Sequence, residues 1–137
     1  MKEISKKGFR KDLGIYVRSE MEANVCRYYK LLGIKFFYEF REFEFPVKRG
    51  NRFYKPDFCL PKVGSWIEVK GYFRANDKVK LRRFKKFYPE EFAKMWFIIP
   101  DKYAKSKANG EMMKFILDDL QVSFSRIIDY KEIRKYV

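Results

Sequence analysis

Pro56-Asp57 and Glu68-Val69-Lys70 lie ten residues apart, and the residues between them leave the backbone few paths. Phe53-Tyr54-Lys55-Pro56-Asp57-Phe58-Cys59-Leu60 is aromatic-rich and closed by Pro61, which predicts a short strand. Lys62-Val63-Gly64-Ser65 supplies a turn in which Gly64 can take a positive φ. Trp66-Ile67-Glu68-Val69-Lys70, ended by Gly71, is the returning strand. Alternation then places Glu68 and Lys70 on one face, about 7 Å apart, and turns Ile67 and Val69 the other way, into a core. If the strands pair as a hairpin, Asp57 lies beside Glu68. Pro56 removes a ladder donor and so belongs at a strand edge or a splayed site.

Two carboxylates sharing a site repel each other unless a cation lies between them. Hard oxygen ligands of this kind suit Mg²⁺ or Mn²⁺, and a metal so held can polarise a phosphoryl oxygen and activate water. Lys70 beside it would orient that water or steady developing charge. The competing reading is an ordinary surface ion pair between Glu68 and Lys70, with Asp57 ending a strand. Two features weigh against it. This is the only Glu-x-Lys in the chain, and it sits in an apolar strand where charge is costly. Pro100-Asp101 has no Glu-x-Lys after it and reads as a plain turn.

The chain of 137 residues carries 32 Lys and Arg against 18 acids, a net charge of +14 that calls for a polyanionic partner, nucleic acid before membrane. Its 47% hydrophobic and 20% aromatic content separates it from a disordered basic tail and predicts one domain with a genuine core. Histidine is absent, which excludes histidine-activated nucleophiles and histidine general bases. Cys26 and Cys59 have no paired spacing and read as reduced core residues of an intracellular protein. No secretory signal, membrane span, lipid anchor or phosphate-cradling glycine loop is expected.

Residues 1–17 are basic and interrupted by Gly8 and Gly14, which predicts an irregular arm. A helix is expected from Ser19 to Leu32, with Met21, Val25, Tyr28 and Leu32 at helical spacing and Gly33 as its stop. There Glu22 fits a capping box that satisfies the Ser19 amide, a role the residues alone favour slightly over one in a site. Residues 35–47 are strand-like but change phase between Phe36, Tyr38, Phe40 and Phe43, Phe45, implying a bulge or two segments; Pro46 is expected to break the ladder. Asn76 or Asp77 should cap a helix to Tyr88 whose Lys78, Lys80, Arg82, Arg83, Lys85 and Lys86 suit phosphate tracking. Together with Arg10, Lys11, Arg18, Lys48, Arg49, Arg52 and Lys55, the residues Lys78, Lys80, Arg82 and Arg83 form the expected DNA-binding set. Met95–Ile99 reads as a buried strand, 104–110 as a basic loop, 111–120 as an apolar helix facing a core or another subunit, and 129–137 as a short basic helix.

Arg18-Ser19-x-x-Glu22, Leu32-Gly33-Ile34-Lys35-Phe36, Tyr54-x-Pro56-Asp57-Phe58-x-Leu60-Pro61 and Ile67-Glu68-Val69-Lys70-Gly71, in that order, resemble the PD-(D/E)xK nuclease superfamily. Within it, the stretch from about Gly8 to Pro100 is most similar to phage endonuclease I, a family of Holliday junction-resolving enzymes. The resemblance implies a restriction-endonuclease-like α/β core, a central mixed β-sheet flanked by helices, in one domain: a basic arm (1–17), a catalytic core (18–100) and C-terminal helices (101–137). It implies that Asp57, Glu68 and the Val69 carbonyl ligate metal, that Lys70 is the catalytic lysine, and that Glu22 helps hold a second Mg²⁺ or Mn²⁺. It further implies a phage-encoded endonuclease of the host cytoplasm, cutting branched DNA as a homodimer that exchanges elements. The rivals are a free-standing homing or nicking endonuclease of the same fold, and a non-catalytic basic nucleic-acid-binding module.

Overall fold

The computed structural model describes residues 6–137. At its centre is a mixed five-stranded sheet in the order β3–β6–β7–β8–β9, where β3 is Phe37–Tyr38, β6 Phe58–Leu60, β7 Ser65–Val69, β8 Met95–Ile99 and β9 Ile127–Asp129. The pairs β3–β6 and β6–β7 are antiparallel; β7, β8 and β9 are parallel. Two-residue periodicity sorts the sheet's side chains into two layers. Trp66, Met95, Phe97 and Ile99 join the core beneath α2 (Ala75–Phe87) and the short α3 (Pro89–Phe92). Ile67, Val69, Ile98 and Phe58 face the opposite way, toward α1 (Glu20–Leu32) and α5 (Tyr130–Arg134). Because β8 is covered on both sides, its sequence is a near-unbroken apolar run.

The core on the α2 side is mostly aromatic. Phe84 is fully buried and meets Phe43 and Tyr54 at ring-centroid distances of 4.7 and 4.9 Å. Rings of this size supply large buried area in directional arrangements, which anchors α2 on the segments that carry Phe43 and Tyr54. The π-turn Phe115–Asp119, continuing α4 (Lys107–Lys114), closes the same layer with Phe115, Ile116 and Leu120. The apolar excess of this segment is therefore spent within the chain's own core.

Several expectations need revision. The segment expected to be an irregular arm carries a hairpin, β1 (Gly8–Arg10) paired with β2 (Ile15–Val17), from which Leu13 and Val17 enter the core. Ion pairs Arg10–Glu20 and Arg27–Asp12, at 2.9 and 2.8 Å, dock it on α1; the part of the arm before residue 6 lies outside the described residues. The phase change in 35–47 separates two segments, β3 and β4 (Phe43–Val47), with Glu39 at φ +49° between them. Pro46 does not end its strand. It pairs with Asn51 within the ribbon of β4 and β5 (Gly50–Tyr54), where a strand with one partner can spare an amide. The expected strand 53–60 is split at Pro56, so that β5 belongs to the ribbon and β6 to the main sheet. The expected loop 104–110 instead begins α4, because the Ser106 hydroxyl accepts the Asn109 amide and caps it. β9, three residues long, has no counterpart among the expected strands.

Candidate active site

Asp57 follows Pro56 at the entry to β6, and the register Phe58↔Ile67 places it across from Glu68 on β7. The hairpin inferred from the sequence is the one that forms. An Asp57 carboxylate oxygen (Oδ2) accepts the Val69 amide at 2.7 Å, which fixes the side chain where the strands splay. Glu68 is 3% exposed under α2, and its Oε1 accepts the Tyr54 hydroxyl at 2.6 Å. Lys70, one pleat further along the same face, brings Nζ to 3.4 Å from Glu68 Oε2 and 3.1 Å from Asp77 Oδ1.

Glu22 reaches this region from the first turn of α1. Its amide donates to the Ser19 hydroxyl, the expected half of a capping box. The other half differs: the carboxylate accepts the amide of Arg18 at 3.0 Å and the Tyr38 hydroxyl at 3.1 Å. Glu22 is buried, at 5% exposure, and it adds to the negative potential at Asp57.

Two clefts meet at Asp57. One, of about 480 Å³, is lined among others by Arg18, Phe53, Tyr54, Lys55, Glu68 and Lys80. The other, of about 360 Å³, runs past Glu22, Val69, Tyr72 and Arg74. Arg18, Asp57, Lys70 and Asp77 border both, so the two form one groove with the carboxylate and the lysine at its middle.

Burial, and then repulsion from Glu68 and Glu22, lifts the Asp57 carboxyl well above the usual carboxylate range, against the pull of Lys70 and the Val69 amide. Burial likewise raises Glu68, while Lys70 and the Tyr54 hydroxyl oppose it. Burial works against the Lys70 ammonium, but Glu68, Asp57 and Asp77 outweigh it and hold its pKa above the ordinary lysine value. Burial and Glu68 keep the Tyr54 hydroxyl protonated and therefore a donor. The donor set fits a hard divalent cation: two oxygen-ligand side chains repel each other with only one lysine to offset them. Among the described residues no three acidic or thiol side chains converge into a closed cage. Mg²⁺ does not require one, since it keeps several waters and binds through one or two carboxylates plus substrate phosphates.

This electrostatic arrangement has a consequence for stability. With its pKa raised on folding, Asp57 contributes stability that is complete below its ordinary value of 3.8 and lost as pH rises through the raised one. At neutral pH the metal-free fold therefore carries an unfavourable carboxylate. Asp57→Asn, which keeps an acceptor for the Val69 amide, should raise stability at pH 7 by about 1 kcal/mol, or about 4 °C in Tm. Calorimetry in chelator should show the gain shrinking as pH falls toward 4. A variant less stable at pH 7, or a gain indifferent to pH, would contradict the electrostatics described.

The basic residues of the expected DNA-binding set differ in their surroundings. Arg18, Lys55 and Lys80 line the groove. Lys48 and Arg49 form the exposed turn of the β4–β5 ribbon, with Arg52 on β5, while Lys11 is exposed on the β1–β2 hairpin and Arg83 is half-buried on α2. Others have protein partners: Arg10 with Glu20, Arg18 with Glu39, Arg82 with Asp119, and Lys78 over the Phe115 ring. The acid that partners Arg82 comes from 37 residues later, so the α2 face is less uniformly cationic than its own sequence suggests. Sequence reasoning missed the site roles of Tyr54, Tyr38 and Asp77. Only Asp77 left a signal, as the one acid in a basic helix.

The phage endonuclease I family model matches residues 1–109 of the 137. The chain belongs to the phage endonuclease I family. Family membership makes it a phage nuclease with DNA as its substrate. No curated protein and no solved structure matches the chain. Among the described residues no helix is long and apolar enough to cross a membrane.

Proposed function

We propose that the protein is a Mg²⁺- or Mn²⁺-dependent endodeoxyribonuclease with a restriction-endonuclease-like core, selective for branched DNA and four-way junctions above all. The observation that carries this reading is the meeting of Asp57, Glu68 and Lys70 at the midpoint of an open groove with cationic residues along its rim. Asp57 and Glu68 would hold the cation, with the Val69 carbonyl as the backbone ligand expected beside them and Glu22 serving a second ion. Bound there, the metal would supply Lewis-acid activation of the phosphodiester and of a water.

The chain's own groups do the rest. The Val69 amide and the Tyr54 hydroxyl orient the two carboxylates, so little reorganisation is needed on binding. Lys70, held protonated by three acids, is a fixed positive charge for the non-bridging oxygens of the scissile phosphate. Arg18, Lys55 and Lys80 grip flanking phosphates, which set affinity and position but read no sequence. Two active sites acting on one junction would come from a homodimer.

The test is incubation with a four-way junction and a linear duplex of the same sequence, with and without Mg²⁺. Junction cleavage that requires Mg²⁺ and exceeds duplex cleavage at least about tenfold is expected, a difference of about 1.4 kcal/mol. Cutting of linear duplex at one sequence would favour a homing or nicking enzyme. Tight binding with no cleavage in either metal would favour a non-catalytic module.

A further inference from the structure

Asp77 stands apart as the sole acid of α2, a helix whose other charged side chains are all basic. It does two things with one carboxylate. Oδ2 accepts the Arg74 amide at 2.9 Å, closing the first turn of the helix. Oδ1 accepts from Lys70 Nζ at 3.1 Å. An acid at the third position of a helix ordinarily needs only the first of these bonds. Here the second ties the helix terminus to the lysine at the centre of the groove, and Asp77 borders both of its lobes.

The geometry gives that tie a purpose. An ammonium has three donors and no preferred direction of its own, and the lysine stem has four rotatable carbons. Glu68 on β7 and Asp77 on α2 approach Lys70 Nζ from two different elements, at 3.4 and 3.1 Å. Two anchors of separate origin restrict the stem to a narrow set of rotamers and so fix where the remaining donor points. Glu68 alone would leave the ammonium free to swing about one carboxylate.

We propose that Asp77 is a positioning residue for Lys70, holding its ammonium in the orientation that meets the scissile phosphate. This rests on the nuclease reading above. Asp77→Asn separates the two duties, because an amide oxygen still accepts the Arg74 amide while the charged partner of Lys70 is lost. Under single-turnover conditions with excess Mg²⁺, cleavage of a four-way junction should fall about 30-fold, within the range expected when a residue behind the site is removed. Junction affinity should stay within about twofold and Tm within about 2 °C, the small changes expected of a substitution that keeps the cap. Asp77→Glu, with charge and cap both retained, should recover most of the rate. In a Lys70→Ala background, followed over long incubations, Asp77→Asn should cost nothing further, since there is no ammonium left to orient.

Cleavage by Asp77→Asn at the wild-type rate overturns the proposal. So does an equal loss with and without Lys70, or a loss that tracks a fall in Tm. If the wild-type protein binds DNA and cuts none, the nuclease reading fails and this one with it. A cutting wild type beside an equally fast Asp77→Asn sinks the positioning role alone.

Discussion

Asp57→Asn is expected to lower the rate of junction cleavage about 10³-fold while junction affinity changes by no more than about twofold. The two halves of this expectation come from different parts of the molecule. On the proposed reading, affinity comes from side chains such as Arg18, Lys55 and Lys80 along the groove, and from a net charge of +14 that one neutralised acid barely alters. On the same reading, the chemistry comes from the carboxylate pair. The substituted side chain could still accept the Val69 amide and hold the strand entry in place, so the loss would be one of charge and not of shape. Lys70→Ala should give a similar loss, because among the described residues Lys70 is the one cation paired with Glu68. Single-turnover assays beside gel-shift titrations separate the two quantities. If both variants bind and cut like the wild type, the acids are structural and the site lies elsewhere.

The same substitution that ends cleavage should raise neutral-pH stability, and this opposition is informative. A carboxylate kept for structure would be satisfied where it sits. Asp57 is held in place by one backbone amide and destabilised by burial, Glu68 and Glu22. Strain of that kind persists where a ligand relieves it.

Much of this site was legible in the sequence because its central geometry is local. Asp57, Glu68 and Lys70 fall within fourteen residues, a four-residue turn joins their strands, and alternation alone decides which side chains share a face. β8 was equally readable, since five consecutive apolar residues fit a strand covered on both sides. What escaped notice depends on contacts between distant segments. Tyr54 reads as one more aromatic of a strand until the fold sets its hydroxyl on Glu68, fourteen residues on. Glu22 matches a capping box so well that only the approach of Tyr38 from β3 reveals a different set of partners. The β1–β2 hairpin is broken by Gly14 and basic residues, and its docking on α1 combines Leu13 and Val17 with ion pairs that no periodicity records. β9 is too short to carry a pattern and exists because β8 offers it an edge. Pro46 misleads because the cost of a missing amide depends on whether a second neighbour is present, which a sequence does not disclose.

The central claim is that Asp57 and Glu68 share one divalent cation. A chain of net charge +14 has little reason to concentrate Mn²⁺ anywhere else, so specific binding is diagnostic. Affinity should also fall as pH drops through the raised pKa values of the pair, because protons compete for the same oxygens. Calorimetric titration of Mn²⁺ into the wild-type protein and into Asp57→Asn measures this directly. The account predicts saturable binding to the wild type near neutral pH and about 100-fold weaker binding to the variant, roughly 2.7 kcal/mol. Equal Mn²⁺ affinity in the two proteins, or none in either, would contradict it.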